Sequence, residues 1–157
     1  MSPIQRNATV KPALIDPSQA SSAPPNRVRD TTPGSGAMAL GTLDIRRKFT
    51  NSTGAPVTRL RFRVVDITTS NTPGGPQADL RMLTSGDTTA NGGTILIRGT
   101  ALEGPSDAVA GGGSNSSIVV AIPGGFVAPG ASINVRYLLG VVQGGTFRFF
   151  VNVEALP

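Results

Sequence analysis

The residues with the clearest chemical spacing in this sequence are three arginines on alternate positions. Arg59, Arg61 and Arg63 lie in the stretch VTRLRFRVVDITT, and apolar residues alternate with them. Alternate side chains of a β-strand point to the same face, so the three guanidinium groups form one row. A row of cations suits sulfate, phosphate or carboxylate groups. The same alternation is also typical of a solvated strand face, where charge protects a sheet against aggregation, and both interpretations stay open.

The segment LDIRRKFTN precedes the arginine strand, and the turn STGAP separates the two. If the two segments pair as neighbouring strands, Arg46, Arg47 and Lys48 widen the cationic surface. The solvated face remains the favoured interpretation of these cations, and a surface glycan or a polyanionic matrix is the alternative partner. Nucleic acid is disfavoured because few aromatic side chains are left to stack on bases. Only Phe126 and Phe150 lie off the apolar series, and they are the candidates for a glycan-stacking platform. The predicted contact face is Arg59, Arg61, Arg63, Arg46 and Lys48.

The residue types in the sequence do not support a catalytic site. The sequence contains no histidine and no cysteine, which excludes a Ser-His-Asp triad, a thiolate nucleophile and a cysteine-ligated metal. The acidic residues are scattered, without the paired spacing that a glycosidase needs. The loop GDTTANGG lacks the ligand alternation of a calcium loop, and AGGGSNSS lacks the Gly-Lys-Ser/Thr ending of a phosphate loop. We therefore predict a non-enzymatic protein with no catalytic residue, no metal and no cofactor.

The composition indicates one domain that is rich in turns. The chain has 157 residues, of which 20 are glycine and 13 proline. The net charge of +5 is modest and comes from arginine, so codon usage explains it as well as a polyanionic partner does. No apolar run approaches eighteen residues, which predicts no membrane span, and the N-terminus lacks the apolar region of a secretory signal. We expect either a cytoplasmic product or part of a longer protein.

From Gly41 onward the hydrophobic period is two, which predicts an all-β fold. We predict an antiparallel immunoglobulin-like β-sandwich of about seven strands over residues 41–157. The apolar series changes phase after Val64, which predicts a β-bulge near Val64 and Val65 that returns Val65 and Ile67 to the core. The last two strands are predicted to form a hairpin with a three-residue loop around Gly144 and Gly145. The predicted core contains Leu60, Phe62, Val64, Ile133, Val135, Tyr137, Phe147, Phe149 and Val151.

Residues 1–40 are rich in proline, serine and alanine, which is typical of a linker or extended arm. Within this arm, ATVKPALI has the composition of an edge strand. A strand of this kind can complete the sheet of another copy, so an alternative function is a self-assembling subunit of a surface filament or a viral decoration protein. The predicted donor residues are Ala8, Val10, Ala13, Leu14 and Ile15.

Three stretches of the sequence resemble a known type of module. GTLDIRRKFTNSTGAPVTRLRFRVVDITT, ADLRMLTS and the ending INVRYLLGV...GGTFRFFVNVEALP are similar to the C-terminal immunoglobulin-like module of large secreted, repeat-rich proteins of acidobacteria-like soil bacteria. The resemblance spans most of residues 41–157. It implies a structural or adhesive role, an extracellular or cell-surface location, and other protein modules or copies of the chain as partners. It carries over no catalytic residue.

Overall fold

β-Strands account for most of the chain in the computed structural model, which describes residues 10–69, 77–103 and 111–157. Short 3-10 turns lie at Gly36–Met38, Asn91–Gly93 and Pro123–Gly125, and no helical segment in these ranges is long and apolar enough to cross a membrane. In the described ranges the strands are β1 (Val10–Leu14), β2 (Arg27–Asp30), β3 (Thr42–Asn51), β4 (Arg59–Ile67), β5 (Asp79–Leu83), β6 (Thr88–Ala90), β7 (Ile95–Ile97), β8 (Thr100–Leu102), β9 (Ser117–Val120), β10 (Ser132–Gln143) and β11 (Phe149–Leu156).

Two antiparallel sheets enclose the core, which confirms the predicted all-β sandwich. Sheet I contains β1, β2, β3, β10 and β5, and sheet II contains β11, β4, β9 and β8 in that order. β6 and β7 form a separate hairpin, and Arg98 after β7 bonds to the backbone of β10. The described residues hold more strands than the seven predicted, because residues 10–30 contribute β1 and β2 and residues 88–97 form the hairpin.

An aromatic cluster lies at the centre of the core. The ring of Phe62 is 4.9 Å from that of Phe49 and 5.1 Å from that of Tyr137, and Phe149 approaches Tyr137 to 5.7 Å. These tilted and edge-on contacts are favourable aromatic geometries. Of the predicted core, the first six residues are buried and the last three are half-buried against them: Leu60, Phe62, Val64, Ile133, Val135, Tyr137, then Phe147, Phe149 and Val151.

The β-bulge predicted in the arginine strand is confirmed. The pairing of β11 with β4 jumps from Asp66 to Val64, so that Val65 is the extra residue. The bulge returns Ile67 to the core, where it is 3% exposed. Val65 itself is 49% exposed, so the expectation that the bulge would also bury Val65 is wrong. A bulge leaves its extra residue out of the ladder, and here that residue turns to solvent.

The predicted hairpin between the last two strands is also wrong. β10 pairs with β3 and β5 in sheet I, whereas β11 pairs with β4 in sheet II. The residues after Gln143 therefore carry the chain from one sheet to the other. The apolar faces of both strands still meet the same core, because each sheet presents one face to it.

The N-terminal arm forms one interrupted edge strand of sheet I. Val10 to Leu14 pair with Asn51 to Arg47, and Arg27 to Asp30 pair with Ile45 to Thr42, all along the same edge of β3. Residues 15–26 leave the edge as a loop. The buried side chain of Asn26 holds this loop through bonds to the backbone of Asp16 and Ala20. Within the described residues, the sheet thus includes Val10 onward, on the N-terminal side of the boundary predicted at residue 41.

Candidate functional site

The three arginines on β4 form ion pairs with two carboxylates, Glu154 of β11 and Glu103 directly after β8. Glu154 of β11 lies opposite Arg61 and accepts hydrogen bonds from Arg61 Nε at 2.6 Å and Arg63 Nε at 3.2 Å. Arg59 pairs with Glu103 at 2.9 Å. Burial raises the pKa of the Glu154 carboxyl, but the bonds from Arg61 and Arg63 outweigh burial and hold the pKa below its usual value. This face therefore carries a charge network, with little positive charge left for a ligand.

The strand pairing predicted to extend this face is wrong. β3 and β4 lie in different sheets, so the turn between them crosses the sandwich instead of closing a hairpin. Arg46 is buried on sheet I and bonds to Asp44 at 3.0 Å, while Lys48 is exposed on the same strand. Asp44 also binds Arg136 at 2.8 Å. The five predicted contact residues thus divide between the two sheets.

One side of the sandwich is closed by backbone hydrogen bonds. Met82 of β5 exchanges two bonds of 2.8 Å with Gly112, and Ser85 donates to the carbonyl of Thr100 at the edge of sheet II. On the opposite side, no backbone bond joins residues 10–30 to β11 in the described ranges. A groove of about 290 Å³ occupies this open side. The lining residues come from the arm, from the core face of sheet I and from β11: Pro12, Ser21, Arg27, Ile45, Arg47, Phe49, Tyr137, Phe147, Phe149, Val151 and Val153.

The groove is cationic because two arginines face it without a carboxylate. The eight ion pairs among the described residues involve eight different arginines, which leaves Arg27, Arg29 and Arg47. Arg29 is used elsewhere, since it donates to the carbonyls of Leu40 and Thr42. Arg27 and Arg47 line the groove, and no acidic side chain in the described part of the chain lines it with them.

Backbone and ring contacts hold these two arginines in place. Arg47 Nη1 donates to the carbonyls of Asn26 at 3.1 Å and Arg46 at 2.7 Å, so the arm loop fixes its position. The Arg27 guanidinium carbon lies 5.6 Å from the centre of the Phe147 ring, a cation-π contact. Burial lowers the pKa of Arg47. Tyr137 partly opposes this lowering of the pKa, and the charge of Arg27 lowers the pKa of Arg47 further. The two cations are therefore close enough to repel each other.

Tyr137 lines the groove and carries a buried hydroxyl. Its side chain is 2% exposed, and its Oη has no hydrogen-bond partner among the described residues. Burial raises the pKa of this hydroxyl well above its usual value, while the charge of Arg47 opposes the shift. The group is therefore a neutral donor at physiological pH and does not serve as a general base. Chemically, the groove can bind an anion that accepts hydrogen bonds, and it offers no acid-base pair.

β11 borders the groove with a long unprotected edge. It spans eight residues, FFVNVEAL, without lysine or proline, and among the described strands it pairs only with β4. The other edges are protected in ways that natural sheets commonly use. β1 contains Lys11 and Pro12, β8 has only three residues, and the bonds of Met82 cover part of β5. Among the sheet edges that the described residues form, the edge of β11 is therefore the best place for an added strand.

The two aromatic residues predicted for a glycan platform are both exposed, Phe126 by 50% and Phe150 by 58%. Phe126 lines a second depression of about 380 Å³ with Leu96 and Asn134, and Phe150 lies on β11 opposite Asp66. Arg98 in that depression is paired with Asp87, so it has no uncompensated charge of its own. In the described ranges, no three acidic side chains come together as metal ligands.

Of the predicted donor residues that the structure describes, Val10, Ala13 and Leu14 lie in β1 of their own sheet, and Ile15 follows this strand. Val10 is buried in the core, Ala13 is exposed, and Leu14 and Ile15 are half-buried. Ala8 lies outside the described residues. The prediction of an edge strand is confirmed for Val10–Leu14, with β3 of the same chain as its partner.

Sequence reasoning did not single out the groove, although one signal was present. On β3 the core-facing series is Leu43, Ile45, Arg47 and Phe49, so Arg47 is a cation at an apolar position. A charged residue in such a series indicates a functional or edge position. Arg27 gave no signal, because it lies in a segment with the composition of a linker.

Comparison with known proteins gives no match: no family model, no curated protein and no solved structure is similar to this chain. The module resemblance therefore stays a prediction.

Proposed function

We propose that this chain is a non-enzymatic structural or adhesive module that holds a partner protein against the open side of its sandwich. The observation that carries the proposal is the cationic groove beside the unprotected edge of β11. Exposed edges of this length pair readily with an incoming strand, and the side chains of that strand enter the adjacent groove. In keeping with the sequence resemblance, we place the module in an extracellular or cell-surface bacterial protein.

A random-peptide display library, selected against the full chain, tests this proposal. The blocking variant is Val151→Lys, which puts a long cation into the groove. The matched control is Asn152→Lys, which adds the same residue to the same strand on the opposite face. We expect peptides that bind the wild type and Asn152→Lys but not Val151→Lys. If no peptide is enriched, or if binding is equal on all three proteins, the open side is not a binding surface.

Self-assembly through the arm is a second candidate, and the position of β1 supports it. β1 lies at the edge of the sheet, where five residue pairs with β3 and the burial of Val10 hold it, and an exchanged copy would restore these same contacts. Since the chain has no cysteine, the double variant Ala13→Cys with Lys48→Cys can lock β1 to β3 at directly opposed positions. If the wild type forms oligomers by exchanging β1, positions 13 and 48 of different copies lie opposite each other, and we expect the oxidised variant to run as disulfide-linked multimers on a non-reducing gel. Oligomers whose chains carry only an intrachain disulfide rule out strand exchange.

A further inference from the structure

Three of the residues that line the groove carry hydrogen-bond donors that the described residues leave without a partner. Arg27 has a ring contact but no hydrogen bond to the described residues, and Arg47 keeps donors beyond the two carbonyls that hold it. The hydroxyl of Tyr137 is buried and has no partner in the described ranges. Each group is a donor, so the missing partner is an acceptor.

The charge of the groove identifies the acceptor as an anion. Two guanidinium groups face it without a carboxylate, although every arginine of the ion-paired surfaces has one. Guanidinium groups bind planar carboxylates through paired hydrogen bonds. The remaining walls are apolar, with Phe147, Phe149 and Val151 on one side and Ile45 on the other. A carboxylate on an apolar stem fits these surroundings better than a highly hydrated anion.

The size of the groove and the adjacent edge favour a peptide over a free small molecule. About 290 Å³ is at the lower limit of pockets that enclose a drug-sized ligand, so the groove has room for one or two side chains. β11 runs along its rim with an unpaired backbone edge in the described structure. A strand added to this edge directs every second side chain into the groove.

We propose that the groove binds an extended segment of a partner protein, and that this segment adds as a strand to β11. One Asp or Glu carboxylate of the segment lies between Arg27 and Arg47. The same carboxylate accepts a hydrogen bond from Tyr137. This inference rests on the proposed function and names the chemistry of its partner. Apolar side chains on either side of the carboxylate contact the rings of Phe147 and Phe149.

Calorimetric titration of the full chain with two peptides tests the inference. The probe is acetyl-Thr-Val-Thr-Glu-Thr-Val-Thr-amide, in which Glu and the two valines share one face, and its counterpart has Gln in place of Glu. We expect the Glu peptide to bind at least about 10-fold more tightly, as a bond to a charged group warrants. Arg27→Gln and Arg47→Gln should remove this preference. The matched control Arg59→Gln, on an ion-paired surface arginine, should retain it.

The outcomes separate the inference from the proposed function. If selected peptides bind but Glu and Gln peptides have equal affinity, the carboxylate site is refuted and the binding surface stands. If the preference for the Glu peptide over the Gln peptide survives in both Arg27→Gln and Arg47→Gln, the carboxylate site is also refuted. The site as proposed is refuted as well if N-acetylglutamate amide binds as tightly as the Glu peptide. A wild-type dimer that Val151→Lys dissociates overturns the inference, because a second copy then fills the groove. If Arg47→Gln fails to fold in circular dichroism, Arg27→Gln decides, because its side chain makes no hydrogen bond to the described residues.

Discussion

Tyr137→Phe should stabilise the ligand-free protein, because it removes a buried hydroxyl that has no partner among the described residues. Burying a hydroxyl without a hydrogen bond costs about 1–3 kcal/mol in protein mutational data. Phenylalanine keeps the ring contacts to Phe62 and Phe149, so that only the oxygen is lost. We expect the free energy of unfolding to rise by about 1 kcal/mol, and the melting temperature by roughly 2–4 °C for a domain of this size.

Urea unfolding followed by far-ultraviolet circular dichroism measures this change, because Tyr137 is the only tyrosine and the chain has no tryptophan to provide a fluorescence signal. Tyr137→Ala is the control for ring packing, and it should lose about 3–5 kcal/mol. A loss of more than about 1 kcal/mol in Tyr137→Phe would refute the reasoning, since the hydroxyl would then have a partner in the folded protein.

Alkaline pH gives an independent readout of the same hydroxyl. The pKa of Tyr137 in the folded protein lies above its usual value of 10.0 because of burial. Below pH 10 the hydroxyl is protonated in both states. Above pH 10 the unfolded state loses this proton first, so the free energy of unfolding of the wild type falls as pH rises. Tyr137→Phe should lack this part of the decline. Parallel curves for the two proteins between pH 10 and 11 would contradict the burial of the hydroxyl.

Three further predictions concern stability. Because Arg61 and Arg63 hold the pKa of Glu154 below its usual value of 4.5, the free energy of unfolding should be constant at neutral pH and fall as the pH drops below about 4.5. Glu154→Gln should flatten this fall. An acid profile that the substitution leaves unchanged would contradict the pairing of Glu154 with the two arginines. A methyl group at Gly140 would lie 2.4 Å from the carbonyl oxygen of Ala37, so Gly140→Ala should lower the free energy of unfolding in urea by about 1–3 kcal/mol. The control Gly144→Ala, which has open space around it, should lower it little. Equal effects of the two substitutions would refute the close packing at Gly140. A chain that starts at Gly41 lacks β1 and β2 and should melt at a markedly lower temperature than the full chain, and an equal melting temperature would mean that the arm adds no stability.

Strand positions and the core were predictable because they depend on local alternation. Leu60, Phe62 and Val64 alternate with charged residues, and a half-buried strand requires that pattern. The phase change after Val64 likewise located the bulge, because a strand cannot bury two adjacent residues on one face without an insertion. Such signals need only a few neighbouring residues.

Strand pairing was not predictable, because it depends on contacts distant in sequence. The glycine pair at Gly144 and Gly145 suits a hairpin, yet β10 and β11 have partners in different sheets. For the same reason the partner of Arg61 could not be inferred: Glu154 comes opposite it only through the pairing of β4 with β11. The groove has the same origin, since Arg27, Arg47 and Tyr137 belong to three strands and meet only after sheet I has formed.

The interrupted edge strand formed by residues 10–30 also bears on the order in which the fold is made. β3 needs a partner on each edge, and one of them, β10, begins only at Ser132. At about 5–20 residues per second, a ribosome takes several seconds to make the residues between β3 and β10. The arm has been made before β3, so it can cover one edge of β3 as soon as that strand emerges. We therefore expect β1 and β2 to shield this edge of the nascent chain from pairing with a neighbouring chain during that interval.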